Sequence, residues 1–520
     1  MKKRLMSLLM VAAMTSTMFV GCGSDASKET SATDAASSDA ATEAAADEVV
    51  CPDEITIMVD ATVFTEPNGR DQFIAKLEEL TGIAKINVVQ PDHDAYYDVV
   101  GQTIASGDWP DVMILGPTYL SGYASQGVLW DMTDAWNNSE LKVRQTAFGG
   151  NVDVEGLMIN GQLYGMPATR GNGCVTYLRQ SWLDAVGMDV PTTYDEYIEV
   201  LRAFKNNDPD GDGQNNTYGA SAAGFIGGEA PYINYWPEFY QDAFPSFMTE
   251  NGAWVDGFNS DAMKAALQRM ADAYAEGLID PASLDQGTKD ARTKYFAGEF
   301  GAFTYWAGNW AENIYQNLSQ NDQDPEIATM APIAEVGTYI NRLSPAWCIT
   351  STCENPEGVF KYFIETMQDG ADTQFLWTYG VEGVHWSTAA ETLYADTDSP
   401  KEYAQGEFHG CDNLENPGTQ YTKAHIDPKL ALVELANDPG ALSETAKASA
   451  DLFTANCRNA EMVPSTQEMT DYNGALTTLK NTLIAKVVMG EMTVDEAYAE
   501  YESNPEGLAY SQAIVDSLNK

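Results

Sequence analysis

Ile55-Thr56-Ile57-Met58-Val59, Ile86-Asn87-Val88-Val89 and Asp111-Val112-Met113-Ile114-Leu115 are the runs whose reading decides the fold. Each has the length and β-branched content of a strand. Between the first two, Phe73, Leu77 and Leu80 recur at helical spacing, and Gly82 stops that helix. Between the second and third, Tyr97, Val100 and Ile104 mark another helix. The third run is apolar along its length, as strands covered on both faces are. A β-α-β-α-β order predicts a mainly parallel sheet covered by helices, hence an α/β fold.

Outward from this block the chain runs to 520 residues, too many for one hydrophobic core, so two or more domains are expected. A second block opens near Val175. Thr193-Tyr194-Asp195-Glu196 reads as a capping box before Tyr197, Ile198, Leu201 and Phe204 at helical spacing. Thr493-Val494-Asp495-Glu496 reads as another, after an amphipathic helix carrying Leu476, Leu479, Leu483, Ile484, Val487 and Val488. No solenoid-type repeat is visible. The 28 basic and 77 acidic side chains give a net charge of −49, which argues against nucleic acid as a partner, because phosphate recognition wants a basic surface. Only four His and no zinc-like Cys spacing argue against a metal–His catalytic centre as well.

The N-terminus carries its own information. Met1-Lys2-Lys3-Arg4 is basic, and Leu5 to Val20 is apolar and uncharged but short of the roughly 20 residues a membrane span needs. The pattern is that of a signal peptide over 1–21. Gly21-Cys22, directly after it, resembles the lipobox of bacterial lipoproteins, which implies lipidation of Cys22. From Gly23 to Val50, Ser, Ala, Thr, Asp and Glu dominate and little can be buried, so 22–51 is expected to be a lipidated Cys and a disordered acidic tether. The expected location is the outer face of the cell membrane. Cys51, Cys174, Cys348, Cys353, Cys411 and Cys457 remain, and sequence cannot choose among their 15 pairings.

Several motifs then occur in a fixed order. Ser106-Gly107-Asp108-Trp109-Pro110-Asp111-Val112, Gly161-Gln162-Leu163-Tyr164-Gly165-Met166-Pro167, and Tyr177 to Gly187 followed by Pro191-Thr192-Thr193-Tyr194-Asp195-Glu196 come first. Phe296-Ala297-Gly298-Glu299-Phe300-Gly301-Ala302 with Trp310, Asn355-Pro356-Glu357, and Tyr379-Gly380-Val381-Glu382-Gly383-Val384-His385 follow. Their order and spacing resemble the family 1 extracellular solute-binding proteins of sugar importers, in the lipoprotein subgroup. The resemblance implies a periplasmic-binding-protein fold of the second type: two lobes with central, mainly parallel sheets, joined by a hinge that closes on the solute. Lobe I is expected over 52–166 plus 345–392, and lobe II over 167–344 plus 393–520. The crossovers fall near Pro167 to Cys174, near Ser344 to Cys348, and near residues 388 to 396. The implied role is capture of a sugar or oligosaccharide by a monomer, and delivery to the membrane subunits of an ABC importer, without catalysis. A secreted carbohydrate-active enzyme and a peptide-binding or adhesin lipoprotein are the rival readings. Against the first stands the lack of Gly-x-Ser-x-Gly, His-Glu-x-x-His or a phosphate-binding glycine loop.

A sugar offers CH faces to aromatic rings and hydroxyls to carboxylates, amides and arginines. Asp60 ends the first strand, on the edge where parallel sheets meet ligands. Thr118 and Tyr119 follow the third strand, and Arg170 sits at the first crossover. Tyr232, Tyr235 and Trp236 lie in a segment resembling the family's sugar-stacking run. Trp306 and Trp310, Trp347 at the second crossover, and Trp377, Glu382 and Trp386 near the third complete the expected ligand-binding set. A second constellation, Asp208-Pro209-Asp210-Gly211-Asp212-Gly213-Gln214-Asn215-Asn216, resembles the front of an EF-hand loop. Asp208, Asp210 and Asp212 would converge on structural Ca²⁺, with the Gln214 carbonyl and Asn216 beside them. Position 12 is Gly219 rather than the usual bidentate Glu.

Overall fold

Strand β1 (Glu54–Met58) forms where Ile55 and Ile57 alternate into a core, and α1 (Arg70–Thr81) lays Phe73, Ile74 and Leu77 on the same core. Gly82 ends α1 at φ 77°, a left-handed turn that glycine enters without a Cβ clash. β2 (Lys85–Val89), α2 (Tyr96–Ser106), β3 (Val112–Leu115) and α3 (Pro117–Ser125) continue the alternation. β4 (Met166–Pro167) precedes β5 (Cys174–Arg179), which opens a second body with α4 (Tyr194–Asn206), β6 (Tyr218–Ala220), α5 (Thr288–Phe296) and β7 (Phe300–Trp306). α6 (Asn309–Gln320), β8 (Ile327–Met330), β9 (Tyr339–Asn341), β10 (Ala346–Ile349), α7 (Glu444–Ala455), β11 (Cys457–Asn459) and α8 (Gln467–Val488) complete the elements that matter here. The computed structural model describes residues 49–520 except 61–64, 93–94, 149–151, 170–172, 226–231, 394–399, 416–417, 422–425, 427–430 and 440–442. The expected signal peptide, Cys22, the expected tether before residue 49 and Arg170 therefore lie outside the described residues.

Two sheets organise two hydrophobic cores. The first runs β2-β1-β3-β10-β4, and the second β8-β5-β7-β6. β1 pairs parallel with β2 and β3, as the alternating sequence demands. β10 then joins β3 antiparallel, and β4 joins β10 antiparallel. In the second sheet β5 is antiparallel to both β8 and β7, and only β6 pairs parallel. The sheets are thus mixed, a correction to the mainly parallel expectation. The physical reason is connectivity: β10 arrives from the other body by a short crossover rather than through a covering helix, so no βαβ rule fixes its direction.

Residues 168–173 lead from β4 in the first sheet to β5 in the second, and 342–345 lead back from β9 to β10. Gly173 is required where the chain enters β5: a Cβ there would meet the Ile340 carbonyl and the Phe453 ring at 2.5 Å. Near 388–396 the chain does not leave the first core as expected, because Ile426, Ala431, Leu432 and Val433 still pack on it. The appendage 386–421 carries its own short pairings, Trp386–Ser387 with His409–Gly410 and Glu391–Leu393 with Lys401–Tyr403. These satisfy local backbone groups without entering either large sheet.

Thr493 forms the reciprocal capping box with Glu496. Thr193 accepts from the Glu196 amide at 3.3 Å, but the Glu196 carboxylate turns to Thr192 instead of Thr193. α8 and the helices Val494–Ser503 and Leu508–Leu518 close the second core. They are pinned by Asp256, which binds Lys480 Nζ through both oxygens at 2.7 Å and accepts from Ser511 at 2.7 Å. Cys51, Cys174, Cys348, Cys353, Cys411 and Cys457 are free thiols. No helix among the described residues is long and apolar enough to cross a membrane.

Candidate functional site: an aromatic cleft between two lobes

The carboxyl edge of the first sheet presents one wall. Tyr96, first in α2, buries its hydroxyl and donates to the carbonyls of Met58 (3.0 Å) and Ile114 (2.9 Å), locking the ends of β1 and β3 together. Its neighbour Tyr97 accepts from the Gly116 amide at 2.8 Å. The Tyr97 ring stacks on Tyr119 at 3.8 Å between centroids and 4° between planes, and Tyr123 stands 6.5 Å beyond Tyr119. Tyr119 is 40% exposed, so this ledge offers ring surface at the strand edge where α/β sheets meet ligands. Thr118 is exposed beside it, and Asp60, just past β1, is half-buried.

The second wall is the end of β7. Tyr305 and Trp306 point to opposite sides of the strand, and Tyr235 touches both, stacked on Tyr305 at 6.2 Å and edge-on to Trp306 at 6.3 Å. Trp310, at the start of α6, stands perpendicular to Tyr305 at 5.0 Å. Two guanidiniums back the tryptophans: Arg292 of α5 lies 4.9 Å over Trp310 and donates to the Tyr305 hydroxyl at 3.0 Å, and Arg342 lies 4.6 Å over Trp306. Such contacts rigidify large rings before any ligand arrives.

Arg342 ties the walls together. It opens the crossover from β9 to β10. Burial pushes the phenol of Tyr97 and the thiol of Cys174 up, and the Arg342 charge opposes the rise at both. Tyr97 belongs to the first body and Cys174 begins β5 of the second, so this guanidinium sits at the junction between them. Sequence reading missed it, along with Arg292, Tyr305 and the cleft role of Tyr97. The available signal was an arginine on a crossover in a strongly acidic chain.

Of the residues expected from sequence, Asp60, Thr118, Tyr119, Trp306 and Trp310 stand at these walls, while Tyr235 is buried in the second core behind Trp306. Trp236 is buried as well, stacked on Phe225 at 4.7 Å in the second core. Trp347 and Trp377 are fully buried and perpendicular to each other at 5.6 Å in the first core, where Phe73 and Phe363 enclose them. For these three tryptophans, core packing outweighs any cleft role, the usual fate of large aromatics. Tyr232 opens the short turn Tyr232–Asn234. Trp386 stacks on Phe408 at 5.2 Å and donates to the Gly380 carbonyl in an appendage cluster with Phe375, next to exposed Glu382.

The acidic loop lies between α4 and β6. Carboxylate oxygens of Asp208, Asp210 and Asp212 fall within 4.8 Å of one another. Gly211 and Gly213 turn the chain at φ 72° and 82°, while the Gly213 amide donates to Asp208 and the Gln214 amide to Asp212. Burial, then the like charges of Asp212 and Asp208, hold the Asp210 carboxyl above its usual range. This donor set fits a hard cation. Gln214 and Asn216 turn their amides to Asp212. Gly219 is a β6 residue packed on Leu201, where a Cβ would approach within 2.7 Å, so position 12 has no room for a side chain of any kind.

Residues 61–365 match the family model of bacterial extracellular solute-binding proteins. This chain belongs to that family. The solute-binding protein is 27% identical over 234 residues to Lipoprotein LipO of Bacillus subtilis (strain 168), covering 44% of this chain and 45% of LipO, so the alignment spans just under half of that relative. Its structure is similar to the alginate-binding protein AlgQ2 solved without calcium ion, with TM-score 0.61, 18% identity, and 90% and 98% of the two chains covered. It is also similar to an EF-hand mutant of the substrate-binding protein FusA of Streptococcus pneumoniae in complex with fructo-nystose, with TM-score 0.59, 18% identity, and 89% and 98% covered. At such identities the likeness speaks for the fold: two α/β lobes joined by crossovers.

Proposed function

We propose that this solute-binding protein is a lipid-anchored, exported monomer that captures a sugar or oligosaccharide between its lobes and passes it to the membrane subunits of an ABC importer. The observation that carries the reading is the pair of aromatic walls, Tyr97–Tyr119 on one lobe and Trp306 with Trp310, backed by buried Tyr235, on the other, meeting at Arg342. Rings take the CH faces of a pyranose or furanose, and the polar rim pairs with its hydroxyls. The names of AlgQ2 and FusA support a carbohydrate, and the name of LipO supports the anchor read at Cys22. The chain acts by binding rather than by catalysis, as its family does. Ca²⁺ held by Asp208, Asp210 and Asp212 would fix the turn between α4 and β6, a structural task.

The test is a thermal-shift panel of mono- and oligosaccharides beside short peptides. A ligand that binds only the folded state raises the melting point by mass action. An oligosaccharide is expected to do so and peptides are not; stabilisation by peptides alone, or release of sugar product during incubation, overturns the reading.

A further inference from the structure

We propose that the oligosaccharide taken by this cleft is acidic, carrying the carboxylate of a uronic acid, and that Arg342 receives it. The inference rests on the sugar-binding reading and narrows its substrate class. Arg342 is half-exposed at the lobe junction, with its guanidinium held over the Trp306 indole at 4.6 Å. A cation–π contact fixes the guanidinium without using its N–H groups, so the donor edge remains free for a planar bidentate acceptor. Among the described residues Arg342 makes no ion pair and no hydrogen bond.

That is notable in a chain with 77 acidic side chains. Other half-buried or buried cations have their donors engaged: Lys480 has Asp256 and Lys294 has Asp280, each at 2.7 Å, and Arg144 has Glu365 at 3.5 Å, while Arg179 and Arg269 donate to backbone carbonyls and Arg292 to the Tyr305 hydroxyl. The charges that act on Tyr97 together with Arg342 include Asp60, which faces the same wall and suits a hydroxyl rather than an anion. The net charge of −49 sets a field that opposes the approach of any anion. A neutral sugar needs no local remedy for that field, whereas an acidic one does, and an unneutralised guanidinium between the walls supplies it.

The experiment uses the mature chain and calorimetry with short oligomers of galacturonate, mannuronate and glucuronate, each beside its carboxyl-reduced neutral counterpart. At least one acid is expected to bind, about 10- to 100-fold more tightly than its reduced form, the worth of one hydrogen-bonded contact to a charged group. In Arg342→Gln the gap between acid and reduced form closes, and in Arg342→Lys it is partly kept; melting points show whether each variant folds. Equal affinity for acid and reduced form in the parent, or a gap that persists in Arg342→Gln, overturns the proposal. If only neutral sugars bind, this proposal falls and the sugar-binding reading stands; if no sugar of either kind binds, both fall.

Discussion

Replacing Glu238 with Gln is expected to stabilise the second lobe above neutral pH and to do nothing below about pH 4.5. Glu238 lies in the short helix Pro237–Tyr240 and is wholly buried. One oxygen accepts from Thr176 Oγ1 at 2.5 Å, and Thr176 in turn meets Thr304 at 2.8 Å. The other oxygen has no hydrogen-bond partner among the described residues. The phenols of Tyr197 and Tyr339 face the same charge, and burial with Glu238 beside them holds both well above their usual range. Burial pushes the Glu238 carboxyl up from 4.5 to about 7. A raised folded value means that the stability belonging to the protonated group is complete below 4.5 and is lost as pH rises through about 7. The shift is worth about 3 kcal/mol. At roughly 2–4 °C per kcal/mol for a body of this size, that is about 6–12 °C in the melting of the second lobe. The assay is calorimetric melting of parent and Glu238→Gln from pH 4.5 to 8. The melting-point difference should grow in favour of the variant and level off above neutral pH. A difference flat across the range refutes the reasoning.

Asp256→Ala strands Lys480, a buried ammonium whose pKa burial already lowers, and should cost about 3–5 kcal/mol in chemical denaturation while leaving ligand affinity intact. Converting the pair together to Leu and Met should recover most of that loss, and an unchanged denaturation midpoint in Asp256→Ala would contradict the pinning role. Adding Ca²⁺ should raise the melting point, by the equivalent of about 2.7 kcal/mol when it is 100-fold above its dissociation constant, and Asp212→Ala should abolish the effect. A melt indifferent to chelator would remove the cation from the account. Trp310→Ala should weaken sugar binding at least about tenfold without unfolding the protein, because it deletes a ring held by Tyr305 and Arg292; equal affinity in calorimetry would exclude Trp310 from the site.

The opening β-α-β-α-β block was legible because apolar runs, helical spacing and Gly82 all report local structure. Thr193 and Thr493 were legible as caps for the same reason. The acidic loop was legible as a pattern, but the fate of its twelfth position was not: Gly219 belongs to a strand whose partner, β7, comes from residues 300–306. Among the aromatics, sequence could place Trp306 and Trp310 near the end of a strand, yet could not tell them from Trp347 and Trp377. Whether an indole faces a cleft or a core depends on which strands flank it, and β10 finds β3 only through long-range pairing. Arg342 escaped notice for a related reason. Its meaning comes from the crossover that carries it between Tyr97 and Cys174, residues far apart in the chain.

Capture between two lobes requires both walls, so the most direct measurement is calorimetric titration of the best panel oligosaccharide into the parent, Tyr119→Ala and Trp306→Ala. Tyr119 belongs to the first wall and Trp306 to the second. Each truncation is expected to weaken binding at least about tenfold with melting points near that of the parent. Full affinity retained in either variant would place the ligand on one lobe alone, or elsewhere, and would contradict the account.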